Sequence, residues 1–252
     1  MNISKTKISF LSRLRNKKFR QEHSLFIVEG TKGVTDTINE FPLECLVATD
    51  EWLQNHRSVI NNLDKEKILT GSRKDLDKIS SLSTPADVIA IYETPVFDMD
   101  ISEALAPDYY LVLDGIQDPG NLGTIIRTAH WFGFKTIFCS LDTVDVFNPK
   151  TIQSTMGSLP NVRVCYCDIS QLISSNSHLE SYALDLNGEN IFKKARFNEG
   201  FYIFGREGSG LRDEVRKNIS NFLTIPSADA TNHPDSLNVA IAAAITMAQI
   251  RR

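Results

Sequence analysis

The sequence predicts an α/β protein built on a parallel sheet, preceded by a smaller α/β domain. Three observations predict it. Apolar runs such as Tyr109-Tyr110-Leu111-Val112-Leu113 and Phe201-Tyr202-Ile203-Phe204 alternate with helical segments, the pattern of strands covered on both faces. Polar clusters stand where strands give way to loops or helices, at 121–127, 205–210 and 236–239, the edge at which such sheets bind ligands. A stretch at 94–108, carrying prolines and acids without a period, separates two alternating regions.

The elements follow in chain order. Ile3, Ile8, Leu11 and Leu14 recur at helical spacing and predict an amphipathic helix over 3–20. A strand over 24–28, the turn Glu29-Gly30, a helix over 31–39 and a strand over 43–49 come next. A short helix over 50–56, a weak strand over 67–70, a helix over 72–80 with Ser72 as N-cap and a strand over 87–93 complete a domain at 1–95. After a linker at 96–108, the second domain, 109–252, reads as strands over 109–113, 136–139, 162–167, 182–186, 201–204 and 222–225. Helices over 121–132, 149–156, 169–174, 211–218 and 236–252 connect and follow them.

At 252 residues and 42% hydrophobic content a sizeable core is available. No apolar run reaches the roughly 18 residues that a membrane span needs. The run at 239–250 is interrupted by Thr246 and Gln249, so no membrane partner is expected. The start of the chain lacks an apolar signal region. The cysteines at 45, 139, 165 and 167 read as buried apolar residues, and Cys165 and Cys167, one residue apart in a strand, as facing opposite sides. Neither a disulfide nor a metal site is expected, and a cytoplasmic location is.

The net charge of −4 argues against a nucleic-acid partner until its distribution is read. Residues 1–20 hold Lys5, Lys7, Arg13, Arg15, Lys17, Lys18 and Arg20 and no acid; the remainder carries a balance of −11. Such segregation makes either a solvated helix face or a local phosphate-binding surface.

In the first cluster, Asp118-Pro119-Gly120-Asn121-Leu122-Gly123-Thr124-Ile125-Ile126-Arg127, Pro-Gly makes a tight turn and Asn121 is a candidate N-cap. Gly123 lies one turn before Arg127, leaving room at its guanidinium. An arginine among Ile125, Ile126 and Ala129 needs a partner, either a structural ion pair or a ligand's anion. The second cluster, Gly205-Arg206-Glu207-Gly208-Ser209-Gly210, follows an apolar strand and fits neither phosphate-loop nor dinucleotide fingerprints. Its glycines suit either a plain turn or close approach to a ligand. In the third, Ile225-Pro226 precedes a loop and then Ser236-Leu237-Asn238-Val239, where Asn238, in the first turn of an apolar helix, must find partners for its amide. Ala240 and Ala242 to Ala244 permit close packing of another backbone or subunit.

Together these clusters resemble the three motifs of the SpoU (TrmH-type) RNA 2′-O-ribose methyltransferases of the SPOUT superfamily. Val144-Asp145-Val146-Phe147-Asn148-Pro149-Lys150 and Ser154-Thr155-Met156-Gly157-Ser158 also match the family's text. Asn16-Lys17-Lys18-Phe19-Arg20 and Leu25-Phe26-Ile27-Val28-Glu29-Gly30 are similar to its substrate-binding domain, of small ribosomal-protein-like α/β type. The resemblance implies a deep trefoil knot, a rare exception to unknotted topology. It implies S-adenosyl-L-methionine as cofactor, contacted at Gly205, Ile225 and Leu237 with Gly208 and Pro226 shaping the pocket. It implies a homodimer and an RNA partner, ribosomal before transfer RNA, gripped through Lys5, Arg13, Arg15, Lys17, Lys18 and Arg20.

Arg127 matches the arginine that activates the ribose hydroxyl, and Asn121, Glu207, Ser236 and Asn238 the remaining polar motif positions. Because arginine holds its proton tightly, the role expected of Arg127 is to hold the flanking phosphate and stabilise the developing alkoxide, with water accepting the proton. Two departures stand out: the loop at 227–235 is longer than usual and lacks the family's glycine, and Arg206 replaces a small or amide residue. His233 in that loop reads as solvated rather than catalytic. Two rival readings are a non-catalytic RNA-binding protein that keeps the fold and a nucleotide-dependent α/β enzyme, the latter disfavoured by the missing phosphate loop.

Overall fold

Two sheets organise the chain, described here from a computed structural model that covers residues 1–252 apart from 83, 85, 96–103, 230, 231 and 233. One compact unit comprises Met1–Val96 and Asp145–Pro160, and the other Phe97–Val144 and Asn161–Arg252. The segment at 145–160, which chain order had placed in the C-terminal domain, therefore packs with the first unit. Most of the expected linker, and His233, lie outside the described residues.

In the first unit the predicted helix 3–20 is broken. Helix α1 (Lys5–Ser12) runs into a 3₁₀ turn at Arg13–Arg15, and α2 (Lys17–His23) starts afresh. The cause is Asn16, whose extended backbone and side-chain oxygen, accepting from Phe19 N at 3.3 Å, make it an N-cap. Strand β1 (Leu25–Glu29) leads to α3 (Thr31–Thr37), β2 (Leu43–Ala48), α4 (Asp50–Asn55), α5 (Arg57–Ile60), β3 (Ile68–Thr70), α6 (Arg73–Ile79) and β4 (Val88–Glu93). Ser72 caps α6 within a full capping box with Asp75. The sheet order is β1-β4-β2-β3, with β4 antiparallel to both neighbours and β2 parallel to β3. Leu11, Leu14, Phe19, Val47, Leu76 and Ile91 are among the residues of its core.

The second unit opens with β5 (Tyr109–Leu113), α7 (Pro119–Trp131) and β6 (Thr136–Ser140). After α8 (Pro149–Thr155), which belongs to the first unit, it resumes with β7 (Arg163–Cys167), α9 (Ile169–Ser175), β8 (Glu180–Asn190), β9 (Gly200–Phe204), α10 (Asp213–Arg216), β10 (Asn221–Thr224) and α11 (Val239–Ile250). The order is β10-β8-β9-β5-β6-β7 and every neighbouring pair is parallel. Leu111, Val112, Leu113, Phe201, Tyr202 and Ile203 are fully buried, as continuous apolar strands between two helical layers require. Parallel pairing puts the carboxyl ends of β5, β9 and β10 on one edge, so the three polar clusters leave the same rim.

Several boundaries moved for physical reasons. Strand β8 reaches residue 190 because its register against β10 shifts between Phe222 and Leu223, lengthening the pairing. Helix α10 shrinks to four residues, because Arg212 is held extended by a side-chain bond described below. Cys165 and Cys167 share one buried core rather than facing opposite sides: alternate residues of a strand lie on the same face. Burial pushes the Cys45 thiol up to about 11 and that of Cys167 to about 12, so the cysteines behave as apolar groups. Among the described residues no helix is long and apolar enough to cross a membrane.

Candidate active site

The first polar cluster is positioned by an N-cap one turn earlier than expected. Asp118, not Asn121, caps α7: its carboxylate accepts from Asn121 N at 2.9 Å, and Pro119 occupies the first helical position. Asn121 thus sits inside the first turn with its side chain free to reach outward. Its Nδ2 donates to Glu207 Oε1 at 2.6 Å. A corresponding correction holds for the last helix. Helix α11 starts at Val239 rather than 236, and Asn238, expected inside its first turn, is its N-cap; its Oδ1 accepts from Ala240 N at 2.9 Å and Ile241 N at 3.3 Å.

The partners demanded of the Asn238 amide are found. Its Nδ2 donates to Asn121 Oδ1 at 3.0 Å and to Glu207 Oε1 at 3.3 Å. One residue from each of three clusters, more than 80 residues apart between the first and second, therefore meets in a hydrogen-bonded triad. The triad is solvent-facing, and Asn238 is exposed. Leu237, 48% exposed, stands beside it with Ser236, which is exposed as well. Ile225 and Pro226 follow β10 at the same sheet edge, half-buried and exposed respectively.

Gly205 owes its identity to the chain itself. A Cβ there would lie 2.5 Å from Gly210 C and 2.6 Å from Leu211 N, because the loop doubles back: Arg206 N donates to Gly210 O and Gly210 N to Arg206 O, both at 3.0 Å. Gly208, with φ +83°, has open space around it.

Arg127 lies on the exposed side of α7, whereas Leu122, Gly123, Ile125, Ile126 and Ala129 are buried. Of the two partners open to it, the structural ion pair is not made: no described side chain pairs with it. Its exposure leaves the guanidinium open to solvent or to an external anion.

Sequence reasoning missed the groups that hold this rim. Asp114, directly after β5 and fully buried, accepts from Arg212 N at 3.1 Å and Nε at 2.7 Å, with a further bond from Nη2. This pairing raises the Arg212 guanidinium above its ordinary range. Asp142, after β6, pairs with Arg206 and lies 3.7 Å from Arg212. Partial burial pushes its carboxyl up, but the Ser140 hydroxyl and the two guanidinium groups outweigh this and leave it below the usual carboxylate range. The available signal was an acid at the carboxyl end of a strand.

The six basic residues at the start of the chain divide. Lys5, Arg13, Lys17 and Lys18 are exposed, Arg13 resting 4.0 Å above the Phe19 ring. Arg15 donates from Nε to Ile79 O at 3.1 Å and from Nη2 to Lys78 O at 2.8 Å and to Ser80 O, and so caps α6. Arg20 is 3% exposed: Nη1 donates to Leu14 O and Arg15 O at 2.9 Å, and Nη2 meets Asp145 Oδ2 at 2.5 Å. A guanidinium so enclosed has no face for a phosphate.

Residues 108–248 match the model of the SpoU rRNA Methylase family, and residues 5–90 that of the MRM3-like substrate binding domain. The chain is similar over 97% of its length, at 24% identity, to the 23S rRNA (guanosine(2553)-2′-O)-methyltransferase RlmP of Bacillus subtilis, of which it covers 96%. A TrmH-family protein from Porphyromonas gingivalis is 31% identical in sequence, with TM-score 0.87 over 100% of this chain and 99% of that one. An AdoMet-bound rRNA methyltransferase from Sinorhizobium meliloti is 26% identical, with TM-score 0.84 over 100% and 97%. With these likenesses spanning the three joined motifs and the sheet that carries them, the chain belongs to the SpoU rRNA methylase family.

Proposed function

We propose that this protein transfers a methyl group from S-adenosyl-L-methionine to a ribose 2′ oxygen of structured RNA, ribosomal RNA in preference to transfer RNA. The observation that carries this reading is the triad of Asn121, Glu207 and Asn238, which joins the three motif loops on one rim. The rim fits the cofactor's mixed character: Leu237 offers apolar surface, and Glu207 and the two amides offer polar partners beside it. Gly205, Gly208, Ile225, Pro226 and Leu237 would hold it, with the chain threaded as a trefoil knot. When bound, it supplies a methyl group on a sulfonium centre. Arg127, unpaired and exposed within the chain, holds the phosphate next to the target ribose and stabilises the developing alkoxide while water takes the proton.

The protein works as a cytoplasmic homodimer. In support, Trp131 is 84% exposed on α7 and Ile241 51% exposed on α11, which packs against α7. The domain at 1–95 grips RNA through Lys5, Arg13, Lys17 and Lys18, mainly by phosphate contact. The test is to map 2′-O-methyl sites in RNA from cells with and without the protein and to titrate the protein with S-adenosyl-L-methionine in a calorimeter. A ribosomal site lost on deletion, together with saturable binding, is expected. Absence of cofactor binding would favour a non-catalytic RNA-binding protein.

A further inference from the structure

The loop that carries Glu207 is fastened at both ends by arginines. At its start, Arg206 pairs through Nη2 with Asp142 Oδ2. Its stem crosses the backbone of Gly115: a Cβ on Gly115, whose φ is +80°, would lie 2.3 Å from Arg206 Nε and 2.8 Å from Arg206 Cγ. At the loop's end, Arg212 grips the buried Asp114 and approaches the other oxygen of Asp142. The acceptors are themselves fixed. Ser140 Oγ donates to Asp142 Oδ1 at 2.7 Å and accepts from Gly115 N at 2.8 Å, and Gln117 Nε2 donates to Asp142 O at 2.7 Å. Nothing in the methyl-transfer reading uses these four charged residues.

Between the two arginines lie Gly208 and Gly210, with Gly205 just before, residues that lose the most backbone freedom on ordering. A ligand that had to order this loop would bind more weakly by the fraction of molecules already ordered. We infer that Arg206, Asp142, Arg212 and Asp114 form a clamp that pre-orders the loop 205–212, and that Arg206 is a positioning residue for S-adenosyl-L-methionine. The inference rests on the proposed function for its ligand, and its first readout is independent of that ligand.

In the full-length protein, Arg206→Ala, Arg206→Lys, Asp142→Asn and the double variant Arg206→Ala/Asp142→Asn are compared. Hydrogen exchange at the Gly210 amide is read without ligand, the S-adenosyl-L-methionine Kd by calorimetry, and the KM for RNA by turnover. The Arg206–Asp142 pair is 38% and 40% exposed, so the expected loss is at the upper end for such pairs, roughly fivefold in both exchange protection and Kd. The KM for RNA stays near wild type, and the thermal midpoint falls by no more than the few degrees that one exposed pair supplies. The double variant is no worse than either single one, since both remove the same bond. Arg206→Lys recovers part of the loss, keeping charge without the fork. An unchanged cofactor Kd in Arg206→Ala, or additive effects in the double variant, would overturn the inference. If the wild-type protein binds no S-adenosyl-L-methionine, the functional reading fails separately. Exchange then decides the clamp: faster exchange in Arg206→Ala keeps it, and equal exchange ends it.

Discussion

The basic start of the chain and the polar rim of the six-stranded sheet treat charge in opposite ways. At the start, seven cations sit in 20 residues without an acid, yet Arg15 and Arg20 bind backbone carbonyls and a distant carboxylate while four neighbours point to water. At the rim the charges are balanced by carboxylates, and Arg127 alone among its arginines lacks a partner among the described residues. A count of charge along the sequence therefore finds the region but not the usable groups. Burial and pairing decide which cation holds the fold and which is free for a ligand.

Five substitutions or conditions break or sharpen that contrast. The largest effect is expected at Arg127. Arg127→Lys, which keeps charge but not the fork, should lower kcat by about 10²-fold, the loss typical of one transition-state donor, with cofactor Kd unchanged by calorimetry. Turnover near wild type would remove Arg127 from the chemistry. Next is Arg212→Ala, which strands the fully buried carboxylate of Asp114. A loss of about 3 kcal/mol is expected in urea denaturation, partly recovered by adding Asp114→Asn. A change below measurement error would mean that the pair is not a stabilising element.

A smaller effect separates the cations at the start of the chain. Charge reversal at Arg13, Lys17 and Lys18 should raise the KM for RNA about tenfold at low salt, with a shallower salt dependence and an unchanged thermal midpoint. Arg20→Met should instead lower the midpoint, because Asp145 and two carbonyls lose their donor. The reverse pattern would invert the division drawn between them.

The smallest effect is a pH dependence at Asp142. Its carboxyl titrates below the usual range, so the ionised form stabilises the fold above the ordinary carboxylate pKa of about 4, and that contribution is lost as pH falls through the lower folded value. The gap in denaturation midpoint between wild type and Asp142→Asn should close below about pH 4. A gap that persists there would assign the effect to packing rather than charge.

Much of the architecture was legible because burial on both faces forces continuous apolar strands, as Tyr109 to Leu113 and Phe201 to Phe204 illustrate. The caps were less legible. Asp118 and Asn121, or Ser236 and Asn238, are all competent N-caps, and only the dihedral angles and bonds chose between them. Capping and bridging are not exclusive: Asn238 caps α11 through its Oδ1 and donates to Asn121 and Glu207 through its Nδ2, whereas Asn121 leaves the cap to Asp118.

The sequence by itself determined the alternating α/β order, the parallel sheet and the three motif segments on its strand ends, since each follows from local periodicity and residue type. Only the tertiary structure decided that Asn121, Glu207 and Asn238 touch, that Gly205 yields to its own loop, and that Arg20 and Arg212 are locked while Arg127 is open. The triad and the ion pairs of Arg20 and Arg212 depend on residues 31 to 125 positions apart being brought within hydrogen-bonding distance, and no local pattern encodes such closure.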